Sequence, residues 1–230
     1  MSTATLKAAT CGKCRETFDY EPHELHGREL FAPKFCPPCV EIISKETDAE
    51  ARYQRKAKLT EAWESLCPME YRECDPARIS ATYARLIREW TPGPRGIGLV
   101  GTSGICKTRT VFAIMRRHHM AGLRCEAISA AKFSKLAVDQ FSNDNSRRGE
   151  SLAKLESCQT ARILILDDLE KARFSDRYEM ELYNLLEHRT SEHLPILWTA
   201  NTIGDDLAAM FTPERQEPIM RRLVDFSEIL

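Results

Sequence analysis

The sequence predicts an α/β fold in which a mainly parallel sheet carries helices on both faces, and three observations predict it. From about residue 75 onward, short apolar runs alternate with segments of helical periodicity. A glycine-containing loop at 101–108 joins one apolar run to one helical segment. A second apolar run, at 163–166, ends in two aspartates. Ligands of such sheets bind at the carboxyl ends of the strands, so we expect these loops to form one site.

The same alternation predicts the individual elements. We expect strands at 97–100, 125–128, 163–166, 195–199 and 224–229. We expect helices at 77–90, 107–121, 130–141, 148–157, 176–190 and 204–223, the last of them broken near Pro213. The strands together predict a five-stranded parallel sheet flanked by helices.

Three zones divide the chain. Residues 1–40 are rich in cysteine and proline and show little periodicity. Residues 41–66 predict a helix that is charged and polar at first and apolar at helical spacing near its end, with a connector after it. We therefore expect domains at 1–40, 41–74 and 75–230, which are a small cysteine-rich module, a helical linker and the α/β domain.

The composition excludes several classes of protein. The chain has 230 residues, of which 43% are hydrophobic and 29% charged, as is typical of a soluble globular protein. No apolar run has the length of a membrane span and the N-terminus has no signal-peptide apolar region, so we expect a cytoplasmic protein with no membrane partner. The net charge of −1 provides no overall basic field, so nucleic acid would have to bind a local patch.

The loop at 101–108 has the pattern of a phosphate-binding loop. Its residues are Gly101, Thr102, Ser103, Gly104, Ile105, Cys106, Lys107 and Thr108. In such loops the backbone N–H groups surround the β-phosphate, the lysine reaches the β- and γ-phosphates, and the last hydroxyl binds magnesium. The following helix has an N-terminus that favours anions. We therefore expect ATP and Mg²⁺ to bind here; the alternative is a strand–turn–helix that only looks like such a loop.

Cys106 stands where a phosphate-binding loop normally has its second glycine. Glycine adopts positive φ easily, whereas a cysteine there accepts strain of about 1–2 kcal/mol or shifts the loop. We expect this residue to weaken ATP binding without abolishing it.

Two further strand ends carry polar side chains. Asp167 is placed to hold magnesium through water, and Asp168 occupies the position of the catalytic acid that orients the attacking water, with Glu170 as a nearby substitute. Asn201, after the apolar run 195–199, can hold the γ-phosphate or the attacking water. Alone, this asparagine would be interpreted as a turn residue at a strand end.

Near the C-terminus, Arg221 and Arg222 lie on a predicted helix. Either one can act as an arginine finger on the ATP of a neighbouring subunit. The alternative is a pair of surface arginines at a helix end, where cations suit the helix dipole.

The N-terminal zone has the cysteine spacing of a metal site. Two Cys-x2-Cys pairs are formed by Cys11, Cys14, Cys36 and Cys39. This spacing is typical of a structural four-cysteine zinc (Zn²⁺) site, and forty residues need such support because they bury too little apolar surface to fold alone. His23 or His26 can replace a thiol, and free thiols or a redox pair are the alternative to zinc.

With these residues assembled, the segment from about 75 to 230 resembles the AAA+ ATPase core of bacterial and phage helicase loaders of the DnaC/DnaI type, and of the related IstB-type transposition helpers. The phosphate-binding loop, the two aspartates, Asn201 and the paired arginines occur in that family's order. The resemblance implies a P-loop NTPase of the AAA+ class without the C-terminal helical lid of larger AAA+ proteins, preceded here by the zinc module and the linker helix.

The resemblance also implies roles for individual residues. Lys107 and Thr108 bind the phosphates and magnesium, Asp167 binds magnesium, Asp168 is the catalytic acid, Asn201 is the polar sensor and Arg222 is the finger. The family delivers a replicative helicase onto single-stranded DNA under ATP control, which implies a helicase partner and a homo-oligomer on ATP or DNA. Aspartate at 168, where glutamate is frequent, implies slow hydrolysis.

A basic patch with two aromatic residues follows the second strand of the α/β domain. It comprises Lys132, Phe133, Lys135, Phe141, Arg147, Arg148 and Lys154. The family resemblance places single-stranded DNA there, with the phenylalanines stacking on bases. At helical spacing, phenylalanines are also typical core residues and the basic side chains a solvated face. Two other functions stay open: a transposition helper ATPase, and a nucleotide-insensitive adaptor with a degenerate loop.

Overall fold

The computed structural model describes residues 6–25, 28–73, 76–202 and 204–230. The chain divides into two compact units, Met1–Lys58 and Leu59–Leu230. We refer to them as the cysteine unit and the P-loop unit.

In the described part of the cysteine unit, two short antiparallel pairs precede a long helix whose last residues belong to the P-loop unit. Strands β1 (Lys7–Thr10) and β2 (Thr17–Tyr20) form a hairpin, and β3 (Glu24–Leu25) pairs with β4 (Arg28–Glu29). Helix α1 (Pro37–Leu66) follows. The strands were not predicted from the sequence, because four residues of alternation are too few to separate a strand from a loop. The helix expected at 41–66 is present and begins four residues earlier, at Pro37, where proline suits the first turn.

After the end of α1, the described part of the P-loop unit continues with short helices. After α1 come α2 (Met69–Arg72), a 3₁₀ turn at Pro76–Arg78 and α3 (Ala81–Glu89). The helix expected at 77–90 therefore starts later than predicted. Ser80 caps α3, since its Oγ accepts a hydrogen bond from the Tyr83 N–H, and such a cap sets the beginning of a helix.

The alternating strands and helices then follow in the predicted order. They are β5 (Gly96–Val100), α4 (Lys107–Met120), β6 (Cys125–Ser129), α5 (Ala130–Asp139), α6 (Asn145–Thr160), β7 (Ile163–Asp167), α7 (Asp176–Ser191), β8 (Ile196–Ala200), α8 (Asp205–Ala208), α9 (Pro213–Asp225) and β9 (Ser227–Ile229). The five strands are parallel, in the order β6-β7-β8-β5-β9. The predicted parallel sheet with flanking helices is confirmed.

Two element boundaries differ from the prediction. Helix α6 begins at Asn145 rather than 148, because the Asp144 side chain accepts from the N–H groups of Ser146 and Arg147 and caps it earlier. The final strand was expected at 224–229, but α9 continues to Asp225 and β9 begins at Ser227. The break near Pro213 lies between α8 and α9, with the proline as first residue of α9.

The sheet has an apolar core on each face. Along β7, Leu164 and Leu166 point into one core, whereas Ile163 and Ile165 point into the other. Helices α5, α6, α7 and α9 cover the first face, and α3 and α4 cover the second. No helix among the described residues is long and apolar enough to cross a membrane.

A glycine on β5 leaves room for a large side chain of the neighbouring strand β8. A Cβ at Gly98 on β5 would lie 2.4 Å from the ring of Trp198 on β8, too close for any side chain. The Trp198 ring fills that space and donates its indole N–H to Ser227 Oγ at 2.9 Å, which ties β8 to β9 across β5. The pairing of β8 with both β5 and β7 places the ends of these three strands side by side.

Candidate functional site

The loop between β5 and α4 has the backbone of a phosphate-binding loop. Gly101 and Gly104 have φ of +142° and +92°, values that favour glycine. Cys106 lies in the left-handed region, with φ +66° and ψ +25°, directly before the first residue of α4. The expected strain at this position is therefore present, and the cysteine has kept the conformation that a glycine would adopt rather than shifting the loop.

Lys107, the first residue of α4, is nearly buried and donates three hydrogen bonds. Its Nζ lies 2.6 Å from Gly101 O, 2.9 Å from Thr102 O and 2.9 Å from Asn201 Oδ1. An ammonium has three protons, so all of its donors are used. Burial lowers the pKa of Lys107, while the negative charge of Glu170 opposes this shift most strongly among the neighbouring charges. The side chain is thus held at the mouth of the loop in the place where phosphate oxygens would accept its protons.

Asp167, at the end of β7, connects the loop to two neighbouring strands. Its Oδ1 accepts from Thr108 Oγ1 at 2.9 Å and from Thr199 Oγ1 at 2.7 Å. Burial raises its pKa, and these hydroxyl donors oppose the rise. Thr199 also accepts from the backbone N–H of Asp168 at 2.9 Å, which makes it a site residue that the sequence did not predict. Its polar side chain near the end of an apolar strand, two residues before Asn201, is the signal that could find it.

Asp168 follows β7 in the left-handed conformation, with φ +54°. Its Oδ2 lies 2.5 Å from Lys171 Nζ, in the 3₁₀ turn Leu169–Lys171. The ion pair raises the pKa of Lys171. The carboxylate therefore enters the site with a cationic partner from its own turn, which was not predicted.

Asn201 follows β8 and faces Glu170 from that same turn. The backbone N–H of Asn201 donates to Glu170 Oε2 at 3.1 Å, and its Nδ2 donates to Glu170 Oε1. Since β8 lies next to β5 in the sheet, Asn201 also reaches Lys107. The predicted sensor residue is therefore part of the site rather than a solvent-exposed turn.

These side chains surround a cavity of about 200 Å³. Its lining residues are Tyr71, Arg78, Ser103, Gly104, Cys106, Lys107, Thr108, Arg109, Asp168, Lys171 and Asn201. Tyr71 and Arg78 come from the segment before β5 and were not predicted as site residues. The Tyr71 ring stacks on Phe112 at 5.4 Å, and the Arg109 guanidinium lies 6.0 Å from the Tyr71 ring. An aromatic ring and cations beside a phosphate loop suit a purine base and its phosphates.

A family comparison agrees with this geometry. The model of the IstB-like ATP binding protein family matches residues 40–230. The chain belongs to this family. The match includes the phosphate-binding loop and both acidic and polar strand ends, so the predicted membership of the IstB and DnaC/DnaI type of AAA+ protein is confirmed.

Solved structures share the fold of this IstB-like protein. The crystal structure of DnaI has a TM-score of 0.57 and 21% identity, and the match covers 71% of this chain and 93% of that one. A candidate primosome component from Streptococcus pyogenes serotype M3 has a TM-score of 0.53 and 18% identity, covering 71% and 88%. AMPPCP-bound DnaA from Aquifex aeolicus has a TM-score of 0.52 and 15% identity, covering 65% of this chain but only 44% of that one. No curated protein matches the chain.

The predicted arginine finger lies away from this cavity. Arg222, on α9, contacts α7: its Nη2 donates to Tyr183 Oη at 3.2 Å and to Glu187, and its guanidinium lies 4.6 Å from the Tyr183 ring. Its Nη1 also donates to Pro218 O at 3.0 Å. Arg221 is exposed on the same helix. The structure does not bring Arg222 to the phosphate loop of its own chain.

The four predicted metal ligands of the IstB-like chain meet in the cysteine unit. The thiol sulfurs of Cys11, Cys14, Cys36 and Cys39 all lie within 4.8 Å of one another. The first pair occupies the turn of the β1–β2 hairpin, and the second pair lies at the beginning of α1. Of the two candidate histidines, His23 has its ring against Phe31, 6.1 Å away, and His26 falls outside the described residues.

The geometry of the thiols fits a tetrahedral ion. The sulfurs of Cys14 and Cys36 are 3.7 Å apart, and zinc–sulfur bonds of about 2.3 Å place the corners of a tetrahedron about 3.8 Å apart. The N–H groups of Lys13 and Cys36 point at Cys11 Sγ, at 3.5 and 3.4 Å. The hydrogen bond with Cys36 and burial raise the pKa of Cys39 to about 12. A bound cation would stabilise the thiolate forms at this distance, so the cluster could hold a metal ion.

The basic patch of the sequence analysis is only partly a surface. Phe133 is fully buried, so of the two alternatives that the sequence left open for it, core residue and stacking group, the core residue is confirmed. Lys154 is paired with Glu126 at 2.5 Å. Lys132, Lys135 and Arg147 line a shallow depression that also contains Asp139, Asp144 and Glu150. Phe141 is 58% exposed, and Arg177, which was not predicted, lies 4.8 Å from its ring.

Proposed function

We propose that this IstB-like protein binds and hydrolyses ATP and acts as a helicase loader that delivers a replicative helicase to single-stranded DNA. One observation carries the ATPase part: side chains from the ends of β5, β7 and β8 converge on one polar cavity. The loader part is supported by the order of the motifs, by the four-thiol unit ahead of the P-loop unit, and by fold similarity to DnaI.

Each residue has a role in the proposed reaction. The loop N–H groups and Lys107 hold the phosphates, and Thr108 and Asp167 would hold Mg²⁺, which when bound neutralises charge on the phosphates. Asp168 accepts a proton as the water oxygen bonds to the γ-phosphorus and the bond to the leaving ADP oxygen breaks. Two features of Asp168 fit slow turnover: its ion pair with Lys171 and its short side chain.

Equilibrium binding of a fluorescent ATP analogue with magnesium tests the nucleotide site. Wild type and Cys106→Gly should bind with micromolar affinity or better, and Lys107→Ala should lose at least tenfold because the charge partner of the phosphates is removed. Arg109→Gln should weaken binding less than Lys107→Ala, since Arg109 lines the cavity but lies outside the loop at 101–108. No binding by wild type that Cys106→Gly restores would favour the nucleotide-insensitive adaptor, for which the left-handed Cys106 is the supporting observation.

Partner capture separates the loader from a transposition helper. We expect a replicative helicase to bind the full chain, with ATP changing the complex. Retention of transposase subunits, and no helicase, would favour the helper that the family description also accommodates.

The exposed Phe141 and Arg177 are the part of the basic patch that best suits single-stranded DNA. A ring that is 58% exposed and covered on one side by a guanidinium offers a stacking surface for a base. Phe141→Ala should weaken binding of a fluorescent oligonucleotide by about tenfold, because stacking contributes about 1–3 kcal/mol per base. Tyr53→Ala, another exposed aromatic residue, serves as the control. Equal binding by both variants would remove this surface from the proposal.

We propose that the protein forms a homo-oligomer on ATP or DNA and that Arg222 acts there as an arginine finger on the ATP of the neighbouring subunit. Arg221 is the alternative. Arg222→Ala should leave ATP binding intact and lower DNA-stimulated hydrolysis at least tenfold. Arg221→Ala is the matched variant one residue away. A loss confined to Arg221→Ala would transfer the role to the exposed arginine.

A further inference from the structure

The side-chain amide of Asn201 lies between a carboxylate and an ammonium. On one side, the Asn201 backbone N–H and its Nδ2 donate to the two oxygens of Glu170. On the other side, its Oδ1 accepts from Lys107 Nζ at 2.9 Å. Glu170 therefore holds Asn201 at two points, and both contacts come from a residue two positions beyond Asp168.

The charges of the neighbours allow only one orientation of this amide. A carboxylate only accepts hydrogen bonds and an ammonium only donates them. Exchanging the amide oxygen and nitrogen would place two acceptors together at Glu170 and two donors together at Lys107. The NH₂ group of Asn201 must therefore face Glu170, and its oxygen must face Lys107 and the phosphate loop.

This orientation decides what Asn201 can bind. An amide oxygen repels the oxygens of a γ-phosphate, but it accepts a hydrogen bond from an ammonium or from water. We propose that Glu170 is a positioning residue of the ATPase site, which fixes Asn201 so that its oxygen faces Lys107 in the free site and the attacking water once ATP is bound, rather than the γ-phosphate. The inference rests on the proposed ATP hydrolysis and selects between the two roles that the sequence left open for Asn201.

The remaining contacts explain why Glu170 is needed. When phosphate oxygens accept the protons of Lys107, Asn201 loses the partner of its oxygen, but its two bonds to Glu170 remain. The anchored oxygen is then directed into the cavity that Asp168 also lines. Without Glu170 the amide can rotate and present its NH₂ group to the phosphates, so hydrolysis would fall although ATP still binds.

Exchanging the carboxylate of Glu170 and the amide of Asn201 tests this arrangement. Glu170→Gln should lower kcat about tenfold with little change in KM, because a glutamine can accept only one of the two N–H groups. Asn201→Asp should lower kcat at least as much, because it places two carboxylates in contact. The double variant Glu170→Gln, Asn201→Asp should recover most of the loss: the new amide accepts from the backbone N–H and donates to the new carboxylate, whose other oxygen faces Lys107.

Binding measurements and controls complete the test. Asn201→Ala should reduce the affinities for ATP and ADP equally, and Glu156→Gln, an exposed position on α6, should change nothing. A selective loss of ATP affinity in Asn201→Ala, or no recovery in the double variant, would overturn the inference while leaving the ATPase proposal intact. If wild type binds ATP without hydrolysing it, the ratio of the ATP and ADP affinities of Asn201→Ala alone decides whether the inference holds. If wild type binds no nucleotide, the proposed function and the inference both fail.

Discussion

The two units of the chain enclose buried polar atoms in opposite ways. In the described part of the cysteine unit, the buried cluster consists of Cys11, Cys36 and Cys39, with Phe18 and Phe35 packed beside them. In the P-loop unit, the fully buried Arg189 donates to the carbonyl oxygens of Cys158, Gln159, Ala161 and Pro195, at 2.7 to 3.1 Å. The first cluster gathers sulfurs that could bind a cation, whereas the second supplies its own cation to buried oxygens.

The difference concerns where the stability of each unit comes from. If the four thiols bind a metal ion, as we propose, the stability of the cysteine unit comes in part from a ligand outside the polypeptide. Arg189 is covalently part of α7 and is surrounded by the apolar core of the sheet. Burial lowers its pKa to about 9, which leaves the guanidinium charged at neutral pH. We therefore expect a chelator to leave the P-loop unit folded and to destabilise the cysteine unit by removing its metal ion.

Metal removal should have the largest effect. We propose one structural zinc per chain; chelation, or Cys36→Ser, should release it and raise amide hydrogen exchange across residues 7–20 to the rates of an unfolded chain. Cys106→Ser, the same chemical change outside the cluster, should keep the metal. Unfolding of the P-loop unit can be followed separately, because Trp63, Trp90 and Trp198 all lie in it.

Two results would contradict the proposed difference in stability between the cysteine unit and the P-loop unit. Protein purified under reducing conditions without any bound metal would remove the zinc site. A hairpin that keeps its amide protection after chelation would show that Phe18 and Phe35 suffice to hold it.

Replacement of the internal cation should have the next largest effect. Arg189→Met keeps the approximate length of the side chain but leaves four carbonyl oxygens without their donor, so we expect a loss of about 3 kcal/mol in the free energy of unfolding. Urea titrations followed by tryptophan fluorescence measure it, and the zinc content should not change. The exposed Arg162→Met is the matched control. A loss below 1 kcal/mol would mean that water or rearranged backbone replaces the guanidinium.

Local spacing explains what the sequence predicted well. The phosphate loop, the aspartates after β7 and the two Cys-x2-Cys pairs each lie within a few residues, so their chemistry is visible without knowledge of the fold. The sheet followed from the alternation of apolar runs, since the period of a strand and that of a helix are encoded locally.

Contacts between distant segments were missed for the converse reason. Glu170 and Asn201 are 31 residues apart, and Arg189 reaches carbonyls 28 to 31 residues earlier in the chain. The first contact depends on the pairing of β7 with β8 and the second on the packing of α7 against α6, and periodicity contains neither arrangement. The burial of Phe133 could not be predicted for the same reason. Its spacing suited both a core and a surface position, and only the packing of helix α5 assigns it to the core.

The smallest expected effect concerns the strained position in the loop. A non-glycine residue in the left-handed region costs about 1–2 kcal/mol, while glycine loses about 0.5–1 kcal/mol through the greater freedom of the unfolded chain. Cys106→Gly should therefore stabilise the P-loop unit by about 0.5–1 kcal/mol in the same urea titration. Cys106→Ala is the decisive control, because it removes the thiol but keeps the Cβ that causes the strain. An equal gain in both variants would assign the effect to the thiol, whereas a gain in glycine alone shows that the backbone conformation is the cost that this loop carries.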